Sequence, residues 1–279
     1  MTSIFKSARC LAVLVLSTAI LLAPLTGQDS HHAAQPPAHP DTVGAEPSAR
    51  IVPPPAGYRY PNGQTYVFDV EWHLFNAGTA TVHMEQAGAQ QKVTATAESA
   101  GVVNSLFKVR DQFVATFDPK TFCSTDVMKH IEEGSRKRDT DVTFDYTRRK
   151  SVFKENNLKT GEHRNIESDI PSCVTDVVSG FYYISSLPLI PGSVHTFPMG
   201  DNAKTAVVSS RVEGREQVKV PAGTFQTVRI RAEAISGSLV GKGTIWVWFT
   251  DDANRTPVQM KSKLGWGSLT FRLQRLERR

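Results

Sequence analysis

Two adjacent carboxylates, Asp251 and Asp252, stand in the stretch WVWFTDDANRTPVQMKSK, between an aromatic run and a basic one. A pair of carboxylates is a minimal kit for acid–base work, one group holding a proton that the other has lost. Neighbouring side chains on a strand point to opposite faces, however, so these two cannot cooperate on one atom. The flanking TIWVWFT and TPVQMKSK carry the β-branched and aromatic residues of strands, with Pro257 fitting a strand start. The intervening DDANR has the Asp, Asn and small residues that hold tight turns through side-chain-to-backbone hydrogen bonds. The stretch predicts a hairpin turn and no catalytic residue.

A second polar set lies on the first predicted hairpin. If LFNAG forms its connection, with Asn76 and Gly78 supplying the bend, Asp69 falls near His83 and Glu71 near Thr81. His73 and Glu85 share that face. Asp69 and His83 are therefore the candidate polar cluster. It reads as a metal or acid–base site, a polar patch lining a cavity, or a solvated face of paired charges. The signatures of common mechanisms are missing: there is no G-x-S-x-G elbow, H-E-x-x-H helix, Walker loop or C-x-x-C pair. GWGS at Gly265 to Ser268 lacks the third glycine and the strand–helix setting of a nucleotide loop. His31, His32 and His39 have no Cys or carboxylate at ligand spacing, so neither metal nor cofactor is expected.

Apolar chemistry has a stronger basis. TIWVWFT is apolar on both faces, with Ile245, Val247 and Phe249 on one and Trp246 and Trp248 on the other, as in a strand covered on both sides. A curved sheet of this size can enclose an apolar ligand, and Trp72, Trp246, Trp248, Phe249 and Trp266 are the candidate lining residues. The alternative is that they are ordinary core.

These residues must be positioned by strands. From Tyr58 onward the dominant period is two, as in QTYVFDVEWH, where Tyr66, Phe68, Val70 and Trp72 share one face. Similar runs recur between Gly-, Asn- and Pro-containing turns, from TATVHME and KVTATAE to SLTFRLQRL. One segment departs from this rhythm. In PSCVTDVVSGFYYISSLP, apolar residues from Val174 to Leu187 fall at three- and four-residue intervals, predicting a helix over about 172–187 with Ser172 as N-cap and Pro188 beyond its end. The fold class expected is mainly β: a curved antiparallel sheet or incomplete β-barrel, with that one helix covering an opening.

Residues 1–27 read as a signal peptide, with Lys6 and Arg9 before the apolar Leu11 to Leu22 and small residues near Gly27. That apolar run is short of the roughly 20 residues of a membrane span, and no later run approaches it. LTGQ resembles a lipoprotein cleavage box with Gln28 in place of the lipidated cysteine. Residues 28–56, rich in Pro, Ala and His, are expected to be a disordered linker, and 57–279 a single β-rich domain. Removing 1–27 also removes Cys10, leaving Cys123 and Cys173. In an oxidising compartment these two suggest one disulfide. Of 32 Lys and Arg against 27 Asp and Glu, the signal holds two basic residues and no acid, so the mature excess is only +3. That gives no reason to expect a nucleic-acid partner. Two basic runs, Arg136 to Arg138 and Arg148 to Lys150, could contact anionic lipid or a cell-wall polymer, or form solvated loop ends.

VPAGTFQTVRI (Val220 to Ile230) and WFTDDANRTPVQMKSKLGWGSLTFRL (Trp248 to Leu273) together resemble an exported bacterial family, domain of unknown function 3108. YPNGQTYVFDVEWHLFNAGTATV, VRDQFVATFD and VVSGFYYISSLPLIPG extend the resemblance over nearly all of Tyr58 to Leu276. It implies an exported, mostly β domain and supplies no catalytic residues. Its fold is similar to the open half-barrels of periplasmic lipoprotein carriers. The function expected is that of a periplasmic or secreted, non-catalytic envelope protein holding an apolar or amphipathic ligand such as a lipid. The alternatives are an interaction module for an envelope protein or polymer and a hydrolase acting through the Asp69 and His83 face.

Overall fold

The computed structural model describes residues 49–72, 75–237, 239–264 and 267–278. The predicted signal, most of the predicted linker, His73 and Trp266 lie outside these residues. The first half of the domain comprises β1 (Gln64–Trp72), β2 (Phe75–Ala87), β3 (Gln90–Ser99), helix α1 (Gly101–Leu106), β4 (Val109–Phe117), β5 (Ser124–Glu133), β6 (Arg136–Asp145), β7 (Lys150–Asn157) and β8 (His163–Asp169). The second half comprises β9 (Thr175–Asp176), helix α2 (Val177–Ser186), β10 (Val194–Asp201), β11 (Lys204–Val220), β12 (Gly223–Gly237), β13 (Gly243–Thr250), β14 (Pro257–Leu264) and β15 (Gly267–Arg278).

Among the described residues the strands form one sheet in the order β8-β7-β6-β5-β4-β3-β2-β1-β15-β14-β13-β12-β11-β10-β9. β1–β8 and β10–β15 are each a meander, and β1 joins the halves by pairing antiparallel with β15, so the two ends of the domain are held side by side. The alternation read from the sequence is visible in burial. Along β4, Val109, Asp111, Phe113, Ala115 and Phe117 point inward and alternate with more exposed residues. The expected mainly β, incomplete barrel is what these strands build.

The sheet curls until its β9 end approaches β5, three strands in from the β8 edge, and a seam fastens them. Cys123 before β5 is bonded to Cys173 before β9, with Cα atoms 5.1 Å apart. Beside it the Ser124 amide donates to the Val174 carbonyl at 2.9 Å. The Tyr146 hydroxyl donates to the Ser124 carbonyl at 2.6 Å. Further along, Lys129 Nζ meets Asp201 Oδ1 at 2.6 Å, both side chains largely buried.

α2 lies inside this curl and is buried on nearly all sides, including Tyr182, Tyr183 and Ile184. An interior helix has no polar face to keep wet, which accounts for its nearly unbroken apolar and small composition. It is shorter than predicted. Residues 175–176 pair in parallel with Met199 and Gly200 as β9, and Asp176 rather than Ser172 is the N-cap. The Asp176 Oδ1 accepts from the Val178 and Ser179 amides at 2.7 and 2.9 Å, satisfying two of the amides a helix start leaves without partners. Gly180 permits the close fit: a Cβ there would come within 3.0 Å of Met199 Cε and 3.3 Å of Thr175 Cγ2.

One end of the barrel is stoppered by aromatic rings. Tyr58, Tyr60, Phe117, Phe122 and Tyr183 form a continuous set with centroid separations of 5.0 to 6.0 Å. The Tyr58 hydroxyl lies 3.0 Å from Ser185 Oγ, and Tyr60 donates to the Pro119 carbonyl at 2.7 Å. The end of the predicted linker takes part: Ile51 and Val52 pack against the core, and the Val52 amide donates to Tyr183 Oη at 3.2 Å. The chain before Tyr58 is thus a strap from residue 49 onward. No helix among the described residues is long and apolar enough to cross a membrane.

Candidate functional site

The carboxylates of DDANR form the predicted turn. Asp252 Oδ1 accepts from the Thr250 hydroxyl at 2.7 Å and from the Asn254 and Arg255 amides at 2.9 and 3.2 Å. Asp251 points elsewhere and pairs with Arg215 at 2.6 Å. One carboxylate shapes the turn and the other ties it to β11.

The first hairpin is tighter than the sequence suggested. Phe75, Asn76 and Gly78 belong to β2, with Trp72 opposite Phe75, so Asp69 faces Thr79 and His83 faces Thr65. Asp69 and His83 are therefore four strand positions apart, about 13 Å along the strand. Asp69 accepts from Gln274 Nε2 at 2.8 Å, and His83 Nδ1 lies 2.8 Å from Thr65 Oγ1. The predicted polar cluster does not assemble. Gly78 serves a different purpose from the one expected, since a Cβ there would collide with the Glu98 carbonyl oxygen of β3.

An apolar concavity lies between α2 and the inner faces of β1–β3 and β12–β15, a cavity of about 150 Å³. Phe68, Phe181, Ile184, Met199, Val247, Met260 and Phe271 supply its bulky walls. Its space comes from small residues at inward positions: Ala80, Ala95, Ala232, Ala234 and Gly180 also line it. Thr81, Thr96, Gln259, Ser262, Glu233 and Lys242 add polar atoms to an otherwise apolar lining. Glu233 is engaged by Arg231 at 2.7 Å, whereas Lys242 is exposed and makes no ion pair among the described residues. The connection carrying Leu239 and Lys242 brings the cavity to the strand ends, away from the stoppered end.

The described tryptophans of β13 stand elsewhere. On β13 it is Ile245 and Val247 that reach the cavity, while Trp246 and Trp248 occupy the other face. Trp248 is buried there and donates Nε1–H to Glu216 Oε1 at 2.8 Å. An indole N–H needs a polar partner when buried, which favours the face that has one. Phe249 is core, packed on Phe181 at 5.2 Å between centroids. Trp72 packs against the edge of the core. The lining thus comes from the aliphatic face of the strand. The small inward residues of β2, β3 and β12, in TATV, TATA and RAEA, are the signal that would have located the space.

The sequence reading also missed two buried carboxylates. Asp111 and Glu133 are 2% and 8% exposed, near α1. The Glu132 amide donates to Asp111 Oδ1 at 3.0 Å, and Arg136 reaches Glu133 at 3.4 Å. Burial first, then the Glu133 charge, pushes Asp111 up to about 8; burial pushes Glu133 up to about 7. Inward period-two positions in VRDQFVATF put Asp111 on the apolar face, a legible anomaly.

The basic runs are largely matched by acids. Arg136, Lys137 and Arg138 pair with Glu133, Glu132 and Glu155, and Arg148 and Lys150 pair with Glu167 and Asp169. Among the described residues no group of three His, Cys, Asp or Glu is placed to hold a metal ion.

A curled, mostly antiparallel sheet with a helix inside defines a β-barrel-like class of protein. The crystal structure of a β-barrel-like protein of domain of unknown function DUF1849 from Brucella abortus matches with a TM-score of 0.54 at 9% identity, covering 83% of this chain and 99% of that one. An inferred exported protein with a YmcC-like fold from Bacteroides fragilis gives 0.35 at 10% identity, covering 82% and 100%. An inferred lipoprotein from Parabacteroides distasonis gives 0.34 at 9%, covering 77% and 95%. The chain itself belongs to the DUF3108 family of proteins of unknown function, whose model matches residues 67–274. No functionally curated protein matches it.

Proposed function

We propose that this is an exported, non-catalytic binding protein of the cell envelope that holds an apolar or amphipathic ligand, such as a lipid, beneath α2. The observation that carries this reading is the apolar cavity of about 150 Å³ held open by alanines and a glycine. Apolar cavities of that size stay dry and accept a benzene-sized group, while pockets for whole drug-sized ligands run to about 300–1,000 Å³. The site therefore suits one ring or one segment of an acyl chain, with the polar remainder of the ligand outside. Lys242 favours an anionic head group at the mouth. Export is supported by the amino-terminal leader pattern and by the Cys123–Cys173 disulfide.

Native and then denaturing mass spectrometry of the exported protein tests this. Extra mass present natively and lost on denaturation is the expected result, and its value gives the ligand class. A bare polypeptide, even after incubation with a single-chain fatty acid, would overturn the reading. A second reading, an interaction module, is favoured by an open groove of about 580 Å³ on the outer face of β4–β8, where Lys154, His163 and Arg164 are exposed. Envelope crosslinking would then capture a partner that Lys154→Ala and Arg164→Ala lose.

A further inference from the structure

The strand ends at which the cavity opens carry large apolar side chains in water. In strand order around this rim come the β12–β13 connection, the adjoining ends of β14, β15, β1 and β2, and the β3–β4 connection that contains α1. Val240, Phe75, Val102 and Leu106 project there with exposures of 51, 71, 75 and 74%. Val102 and Leu106 are four residues apart and so lie on one side of α1, a helix with no buried residue. A single exposed apolar residue needs no explanation, whereas several along one rim mark an interaction surface.

The charges on this rim say what meets it. Lys108 follows α1, Lys242 sits beside Val240 in sequence, and Lys263 lies near the end of β14; all three are exposed. None makes an ion pair among the described residues. The nearby carboxylates are matched: Glu98 by Arg110, Glu71 by Arg272 and Glu233 by Arg231. The surplus is positive and is interleaved with the apolar side chains. That combination fits an interface with both an apolar layer and a negative surface.

We propose that this rim docks on an anionic phospholipid bilayer, with Phe75, Val102, Leu106 and Val240 entering the headgroup boundary and Lys108, Lys242 and Lys263 contacting phosphates. It builds on the reading of the cavity as a lipid site, since docking would place the mouth against the membrane that supplies the ligand. Each lysine contributes roughly fivefold to binding on an anionic surface.

Vesicle cosedimentation tests it, using exported protein whose intact mass shows that residues 1–27 are gone. Vesicles of phosphatidylcholine alone are compared with vesicles containing phosphatidylglycerol. The expected result is pelleting with the anionic vesicles, weakened by salt. Val102→Ser with Leu106→Ser, and separately Lys108→Gln with Lys242→Gln and Lys263→Gln, should each weaken binding by at least about tenfold. These positions are exposed, so thermal melting should be unchanged and a loss of fold is readily recognised. Failure of the wild type to pellet, or pelleting that neither variant weakens, would overturn the proposal and leave the patch to a protein partner. The cavity is read separately: Ala232→Leu should abolish native ligand mass while vesicle binding persists.

Discussion

Ser124 and Asp176, 52 positions apart, exchange two hydrogen bonds: the Ser124 hydroxyl donates to Asp176 Oδ2 at 2.6 Å and accepts from the Asp176 amide at 2.7 Å. The other carboxylate oxygen of Asp176 caps α2. One side chain thus joins the seam of the barrel to the start of the helix inside it. Asp176→Ala removes an N-cap, a loss of roughly 0.5–2 kcal/mol, and leaves the buried Ser124 hydroxyl one partner short, at roughly 1–3 kcal/mol. Urea unfolding should show a loss of about 2–4 kcal/mol. Ser124→Ala keeps the cap but leaves Asp176 Oδ2 and the Asp176 amide without this partner, at roughly 1–3 kcal/mol. A loss from Asp176→Ala no larger than that from Ser124→Ala would mean that the cap contributes little.

The covalent half of the seam constrains the unfolded chain as well. Cys123 and Cys173 are 50 residues apart, and closing a loop of that length is worth about 4 kcal/mol in the chain-entropy model. Cys123→Ala with Cys173→Ala should lower the urea midpoint accordingly. Reducing agent should do the same to the wild type and nothing to the double variant.

How much of this was legible in the sequence depends on the range of the forces involved. The strands were readable because alternation is local, as in Val109–Phe117. The turn at Asp252 was readable because its hydrogen bonds stay within three residues. The edge strand β8 was not, since its side chains are almost wholly exposed and carry no alternation. The full length of β11 was not legible either, because a register shift between Val212 and Gly214 interrupts its period. The Asp69 and His83 cluster depended on the length of one turn, and a different loop moved the whole register. The choice between the two faces of TIWVWFT was a tertiary matter. Glu216, the partner of Trp248, is 32 residues away, and no local pattern could bring it there.

The buried carboxylates give stability a pH dependence of predictable sign. With Asp111 raised to about 8 and Glu133 to about 7, the native state keeps protons that the unfolded chain releases around its ordinary values of 3.8 and 4.5. Stability should therefore fall as pH rises from about 4 to about 8. Asp111→Asn keeps the oxygen that accepts from the Glu132 amide and removes the ionisable proton. It should match the wild type near pH 4 and exceed it by a few kcal/mol at pH 8. Parallel profiles for the two proteins in urea unfolding would show that Asp111 is already ionised in the fold.

The assignment of the two faces of β13 can be tested by variants with opposite expected effects. Ala232→Leu directs bulk into existing space, so the protein should remain within about 1.5 kcal/mol of wild-type stability while the ligand mass disappears from its native spectrum. Trp248→Ala strips a buried ring from the other face together with its bond to Glu216. It should cost roughly 3–5 kcal/mol, yet the ligand should stay. The two effects are separable because stability and ligand mass are independent readouts. If Trp248→Ala sheds the ligand and Ala232→Leu keeps it, binding occurs on the tryptophan face, and the cavity beneath α2 is a packing feature of the fold.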